Sequence, residues 1–256
     1  MDRLKKILIA FFGFLLLYSA VHLGRYLLDY HKSETQIKEL EQQMNAGRPE
    51  STPAIGSDSV DTKSAVLPEF ESLVLRNEDI VGWLKIEDTP INYPVMHTPE
   101  DAEFYLDHDF DRQENKNGLP FLDYRSSITK PTTNWMIYGH NMKNGSMFHA
   151  LINYKKKTYY KDHPVIQFNT LYEKGEYEII SVFLSNVYKR DEDGFKYYQF
   201  IQADTKEEFD LFLHNVKQLA LYETGTTAQY GDQLLTLSTC EYSTENGRLI
   251  VVARKR

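Results

Sequence analysis

A chain of 256 residues with a single cysteine, Cys240, can form no internal disulfide, so a disulfide-stapled scaffold is excluded. Positive charge is also scarce. Lys and Arg number 29 against 37 Asp and Glu, a formal net charge of -8, and the basic residues gather into no long stripe. That balance argues against a phosphate-backbone partner, and no nucleic-acid binding is expected. No His/Cys cluster has zinc spacing, and the lone glycine of "GEYEII" cradles no phosphate. "KRDEDG" has the acidic character of a calcium loop, but Lys189 stands at the first ligand position and Phe200 at the closing one, so it reads as a solvated turn. Neither a metal nor a cofactor is expected. No segment repeats another.

Long apolar runs are equally rare, and the one present lies at the start. Arg3, Lys5 and Lys6 precede a charge-free run of 17 residues from Ile7 to Leu23. This exceeds the usual core of a signal peptide and reaches the lower bound of a membrane span, about 17 to 25 residues. Cleavage near Ser19-Ala20 is the alternative, without a clear A-x-A site. Residues 1–30 are therefore expected to anchor the chain in the cell membrane, with the basic end cytoplasmic and the remainder extracellular. From His31 to Met44 the sequence is polar and compatible with a helical continuation. Residues 45–65, rich in Pro, Gly, Ser and Thr, read as a mobile linker. Residues 31–66 are thus expected to be stalk and linker, and 67–256 the folded domain.

The composition of that domain, with 18 Tyr and 14 Phe in the chain, favours strands. "LPEFESLVLR" opens it as a short helix with Phe70, Leu73 and Val74 on one face. Eight β-like runs follow: "GWLKI", "INYPVMH", "LPFLDY", "NWMIYGH", "PVIQFNT", "EYEIISVFLS", "QLLTLSTC" and "RLIVVARK". Their spacing suits a closed barrel or a sandwich. One long helix interrupts them, with Phe209, Phe212, Leu213, Val216 and Leu219 at helical spacing and a Thr205/Glu208 capping box. It should pack on the barrel ahead of the cysteine strand.

Strand alternation places Leu235 and Leu237 on one face and Thr236, Ser238 and Cys240 on the other, so the thiol lies on a polar face. A thiol nucleophile needs a group that takes and returns a proton, which histidine does near neutral pH. Of eight histidines, His140 stands out because it ends the run "NWMIY" through Gly139, where a rigid strand can aim it into a groove. The Asn246-Gly247 turn should pair the last two strands and bring Arg248 across from Cys240 after a loop over 241–247. An arginine there can hold an oxyanion without titrating.

"TLSTC", an Arg in "GRLIVV" and the upstream "YGHN" together resemble a sortase, over roughly residues 67–256. The helical opening and the long helix before the cysteine strand resemble class B members in particular. The resemblance implies a mainly β fold, a closed barrel of about eight strands with an N-terminal helical segment. It implies Cys240 as nucleophile, His140 as acid and base, and Arg248 as oxyanion and substrate clamp. Ser238 and Leu106 fall where class B enzymes line the substrate groove. The implied reaction is cleavage of a C-terminal sorting motif in a secreted protein through a thioester, then transfer to an amine of the peptidoglycan cross-bridge. A hydrolytic cysteine protease with the same site, and a non-enzymatic β-fold surface adhesin with an inert Cys240, are the alternatives.

Overall fold

Residues 2–48, 65–189 and 191–256 are described by a computed structural model. Most of the linker expected over 45–65, and Arg190 of the "KRDEDG" turn, lie outside the described residues. Helix α1 runs Asp2–Ala46 and α2 Pro68–Arg76. Among the described residues eight strands follow: β1 (Ile80–Lys85), β2 (Asn92–Met96), β3 (Phe121–Leu122), β4 (Asn134–Tyr138), β5 (Val165–Thr170), β6 (Glu176–Asn186), β7 (Leu234–Cys240) and β8 (Gly247–Lys255). They close into a barrel in the order β1-β2-β3-β4-β7-β8-β6-β5. The β2/β3 and β4/β7 pairs are parallel and the rest antiparallel. All eight expected strands are present, and the arrangement is a barrel, not a sandwich.

Between β4 and β5 the chain forms a 3₁₀ segment, Phe148–Lys155, and helix α3, Lys157–Asp162. Their apolar side chains, Phe148, Leu151 and Tyr154, are fully buried. Between β6 and β7 runs a long excursion that contains a 3₁₀ turn, Tyr197–Gln199, and helix α4, Lys206–Gln218. The capping box at Thr205 and Glu208 forms as expected. Leu219 ends α4 and is largely exposed, unlike the other four apolar positions assigned to this helix.

Alternation along the strands sends side chains to two separate apolar clusters. Trp135, Ile137, Leu235, Leu237, Leu249 and Val251 belong to the larger one, inside the barrel. Met136, Leu234, Ile250 and Val252 point outward and meet Phe209, Phe212 and Val216 of α4. The expected polar face of β7 is therefore not solvated: α4 and its approach cover it. Thr236 and Ser238 are buried there, and Thr236 donates to Asn134 Oδ1 at 2.9 Å. Buried hydroxyls need such partners, because an unmade bond costs about 1–3 kcal/mol.

The stalk expected from residue 31 onward is also covered in part. The first half of α1 is apolar and exposed, long enough to cross a membrane. Its second half buries Ser33, Gln36, Ile37, Leu40 and Met44, a single face at helical spacing, against the domain. Arg76 of α2 reaches Glu39 at 3.2 Å and Asp111 at 2.8 Å. Leu40 is 0% exposed and a member of the main core. A polar average over His31–Met44 conceals this stripe, which is why the segment reads as a stalk. Leu40→Ala should cost about 2–5 kcal/mol, the range for a buried Leu truncation. Denaturant unfolding of the full chain checks this. A change within about 0.5 kcal/mol, as at a solvated position, would show that the stripe carries no stability.

Candidate active site

The site is assembled by three neighbouring strands. β4 and β7 run parallel and in register from Asn134–Leu234 to Tyr138–Ser238. Two residues further along each chain stand His140 and Cys240, with the Gly139 N–H still donating to the Ser238 carbonyl at 3.2 Å. On the other side of β7, Cys240 is the direct partner of Arg248 in β8. Beyond it the Glu241 N–H donates to the Gly247 carbonyl at 2.9 Å. Cys240 and Arg248 thus form a non-hydrogen-bonded pair, whose Cα atoms lie about 4.5 Å apart with side chains on one face. His140, Cys240 and Arg248 are brought together at one level of the barrel, each half-exposed, around a cleft of ≈ 380 Å³.

The turn that sets the β7/β8 pairing follows its sequence signal. Asn246 adopts the left-handed conformation, φ 57°. A Cβ on Gly247 would stand 2.4 Å from the Glu241 carbonyl oxygen, so only glycine allows that approach. The loop is one residue shorter than expected, 241–246, because Gly247 is already the first residue of β8. β8 itself is not an exposed strand; it lies between β7 and β6, and only its ends are partly open.

His140 is held from two directions. Its carbonyl accepts the Phe148 N–H at 2.8 Å. Its Nε2 lies 2.7 Å from the Leu106 carbonyl oxygen. A carbonyl only accepts, so Nε2 carries the proton and Nδ1 is the basic nitrogen of the neutral ring. Leu106 lines this cleft, and its backbone contact with His140 is one that no sequence pattern announces. Ser238 also lines the cleft, but it is 2% exposed and its hydroxyl is engaged with the Tyr197 hydroxyl at 2.8 Å. Arg248 donates through Nη1 to its own neighbour's carbonyl, Gly247, at 2.9 Å, and retains further donors on the guanidinium.

Several residues of the site escape sequence reasoning. Asn141, the last letter of "YGHN", donates through Nδ2 to the Cys240 carbonyl at 2.8 Å and accepts from His149 Nδ1 at 2.7 Å. His149, which has undistinguished surroundings in the sequence, thereby orients the amide that pins the end of β7. Tyr197 and Tyr198 form a cleft wall, delivered by the β6–β7 excursion from more than 40 residues upstream of the cysteine. Burial pushes the Tyr197 phenol up to about 12, against the opposing pull of its bond to Ser238 and of the Arg248 guanidinium, so it serves as a neutral hydroxyl. Behind Cys240, Glu241 is buried and paired with Lys155 and with the Ser243 hydroxyl. A larger cavity of ≈ 560 Å³ between α1 and the barrel holds none of the three site residues.

Asp123 ties the floor of the cleft to that wall. It accepts Arg125 Nε at 2.9 Å and Nη2 at 2.8 Å, as well as the Tyr138 hydroxyl at 3.0 Å, while Arg125 also reaches the Tyr198 carbonyl at 2.6 Å. Burial raises the Asp123 pKa, but the Arg125 fork and the Tyr138 hydroxyl outweigh it and hold the carboxyl below its ordinary 3.8. A depressed carboxylate contributes stability that is complete above its unfolded value and is lost as pH falls through the lower folded one. Acid unfolding should therefore steepen below about pH 4, and Asp123→Asn should flatten that limb. An acid limb unchanged by Asp123→Asn would remove this carboxylate from the pH dependence.

The sortase domain family profile matches residues 84–256. Sortase B of Staphylococcus aureus is 32% identical over 193 residues, covering 74% of this chain and 75% of that protein. Sortase B of Listeria monocytogenes is 34% identical over 190 residues, covering 73% of each. Among solved structures, sortase B of Bacillus anthracis in complex with AAEK1 superposes with a TM-score of 0.72 at 28% identity, covering 90% of this chain and 98% of that one. A Staphylococcus aureus sortase B–substrate complex gives a TM-score of 0.72 at 27% identity, covering 89% and 95%. An inert adhesin is not favoured by these relationships. The chain belongs to the sortase family, cysteine transpeptidases of cell-wall anchoring, and within it to class B.

Proposed function

We propose that Cys240, His140 and Arg248 perform the transpeptidation, with a sorting-motif peptide lying in the cleft along Leu106, Tyr197 and Tyr198. The observation that carries this reading is the shared level of Cys240 on β7, Arg248 on β8 and His140 two residues past the end of β4. His140 takes the proton of the Cys240 thiol, and the thiolate adds to the carbonyl carbon of a threonine in the motif. The oxyanion that forms is met by the Arg248 guanidinium, a fixed cation that needs no reorganisation as charge develops. Collapse breaks the C–N bond, and protonated His140 gives its proton to the departing amine, leaving a thioester on Cys240. An amine of the peptidoglycan cross-bridge then adds to the thioester and gives a proton to His140. The thiolate leaves, and an amide joins the client protein to the wall.

The protein substrate accords with a cleft lined by Tyr124, Tyr138, Tyr197 and Tyr198, whose rings offer apolar faces and hydroxyls to a peptide. Ser238 borders it with its hydroxyl already engaged by Tyr197. Residues 1–30 serve in this reading as a single-pass anchor: Arg3, Lys5 and Lys6 stay cytoplasmic and the barrel stands outside the cell. The described part of 31–66 is the link between anchor and barrel.

Cys240→Ala should abolish peptide cleavage, and His140→Ala nearly so, because each performs a step the other cannot. Arg248→Ala and Arg248→Lys should both lower kcat by about 10² to 10³, since lysine keeps the charge but lacks the planar fork. Mass spectrometry of the thioester on Cys240, with and without an added oligoglycine amine, separates the two half-reactions. Arg248→Ala that cleaves at the normal rate and unfolds like the parent would make the arginine an ordinary surface cation. Equal hydrolysis with and without amine would mark the enzyme as a protease.

A further inference from the structure

We propose that the juxtamembrane half of α1 is a positioning element for His140, acting through Ser33 and the loop 107–118. The inference rests on the acid–base role of His140 set out above. Loop 107–118 leaves the 3₁₀ turn Phe104–Leu106 and folds back on it: the Asn115 N–H donates to the Asp107 carbonyl at 2.7 Å and the Leu119 N–H to the Tyr105 carbonyl at 2.9 Å. Gly118 closes the loop at φ 55° against the Leu106 carbonyl, so near that a Cβ would lie 2.4 Å from its oxygen. This is the same oxygen that receives the His140 Nε2–H.

Four side-chain contacts from one face of α1 hold that loop. Asn115 and Asn117 both donate through Nδ2 to Ser33 Oγ, at 2.7 and 2.9 Å, in a setting where all three residues are buried. Lys32 pairs with the buried Asp109 at 3.2 Å, and Gln36 donates to Asp111 at 2.9 Å. The path from the helix to the histidine is therefore short: Ser33 to Asn117, the adjacent Gly118 against the Leu106 carbonyl, and that carbonyl to Nε2. A carbonyl that shifts frees the ring to rotate or to move its proton to the other nitrogen, and either changes which nitrogen is free to exchange a proton in the cleft. Placement matters steeply, since a 1 Å error far from the chemistry can cost about 10²-fold in rate. The element that tethers the enzyme thus also sets its acid–base residue.

The test uses the full chain in detergent, with peptide cleavage and the rate of Cys240 alkylation by iodoacetamide as two readouts. Ser33→Ala removes the shared acceptor and should lower kcat about 10-fold with KM unchanged, whereas Ser33→Thr, which keeps a hydroxyl, should restore it. Lys38→Ala, on the solvent side of the helix, serves as the control and should match the parent. Ser33→Ala should also change Cys240 alkylation, and that change should vanish in a His140→Ala background, where nothing is left to position. If Ser33→Ala fails to fold, the double variant Lys32→Met/Gln36→Leu carries the same expectation. A Ser33→Ala protein that only melts earlier, with kcat and alkylation unchanged, overturns the proposal, as does an alkylation effect that persists without His140. Should His140→Ala itself leave alkylation unchanged, the acid–base reading of His140 falls instead.

Discussion

The parallel ladder between β4 and β7 is the constraint on which the rest of this structure depends. Side chains alternate along a strand, so a slip of one residue in this pairing would send His140 and Cys240 to opposite faces of the barrel. The register from Asn134–Leu234 to Tyr138–Ser238 is guarded on both faces. Inside, Trp135, Ile137, Leu235 and Leu237 share the core, and outside, Asn134 and Thr236 exchange a buried hydrogen bond. The antiparallel β7/β8 pairing adds Arg248 on the far side of the cysteine. Three residues that lie more than 100 positions apart along the chain at their extremes thus need no flexible loop to meet.

Why the site is a cleft at all follows from the outer layer. The excursion between β6 and β7 buries the outward face of β4, β7 and β8 under α4, and the stacked rings of Phe200 and Phe212 seal it at 3.9 Å. That cover ends at Tyr197, over Ser238. The next outward position on β7 is Cys240, which is the first to emerge. The cover therefore does two things: it supplies core for the barrel's outside, and its boundary forms a wall beside the thiol. Arg125, bonded to both Asp123 and the Tyr198 carbonyl, fixes where that boundary stands.

A second layer of support reaches the site from the opposite end of the chain. α1 is continuous from its exposed apolar part to residues that belong to the main core, so that apolar part and the barrel are joined by a helix that packs on the domain. Its buried face meets the loop behind Leu106, and the carbonyl of Leu106 fixes the tautomer of His140. Stability and placement are thus linked through the same few residues.

Local chemistry was enough to read the eight strands, the α4 capping box, the Asn246-Gly247 turn and the Cys240–Arg248 pairing from the sequence, because periodicity, caps and turn residues act over a few positions. The set "YGHN", "TLSTC" and "GRLIVV" likewise pointed to the family and to His140, Cys240 and Arg248, which line one cleft. What neighbours in sequence cannot encode had to come from the tertiary structure. The polar face of β7 is dry because α4 lies over it, and residues 31–46 are part of the domain because Leu40 finds a place in its core. Leu106 matters through a backbone oxygen, an atom every residue has. Asn141 and His149 act only through the end of β7, some 90 to 100 positions away in the chain. Composition and spacing determine which groups are available and how each strand is turned; which of them meet is decided by packing, whose favourable contacts exist only once the barrel has closed.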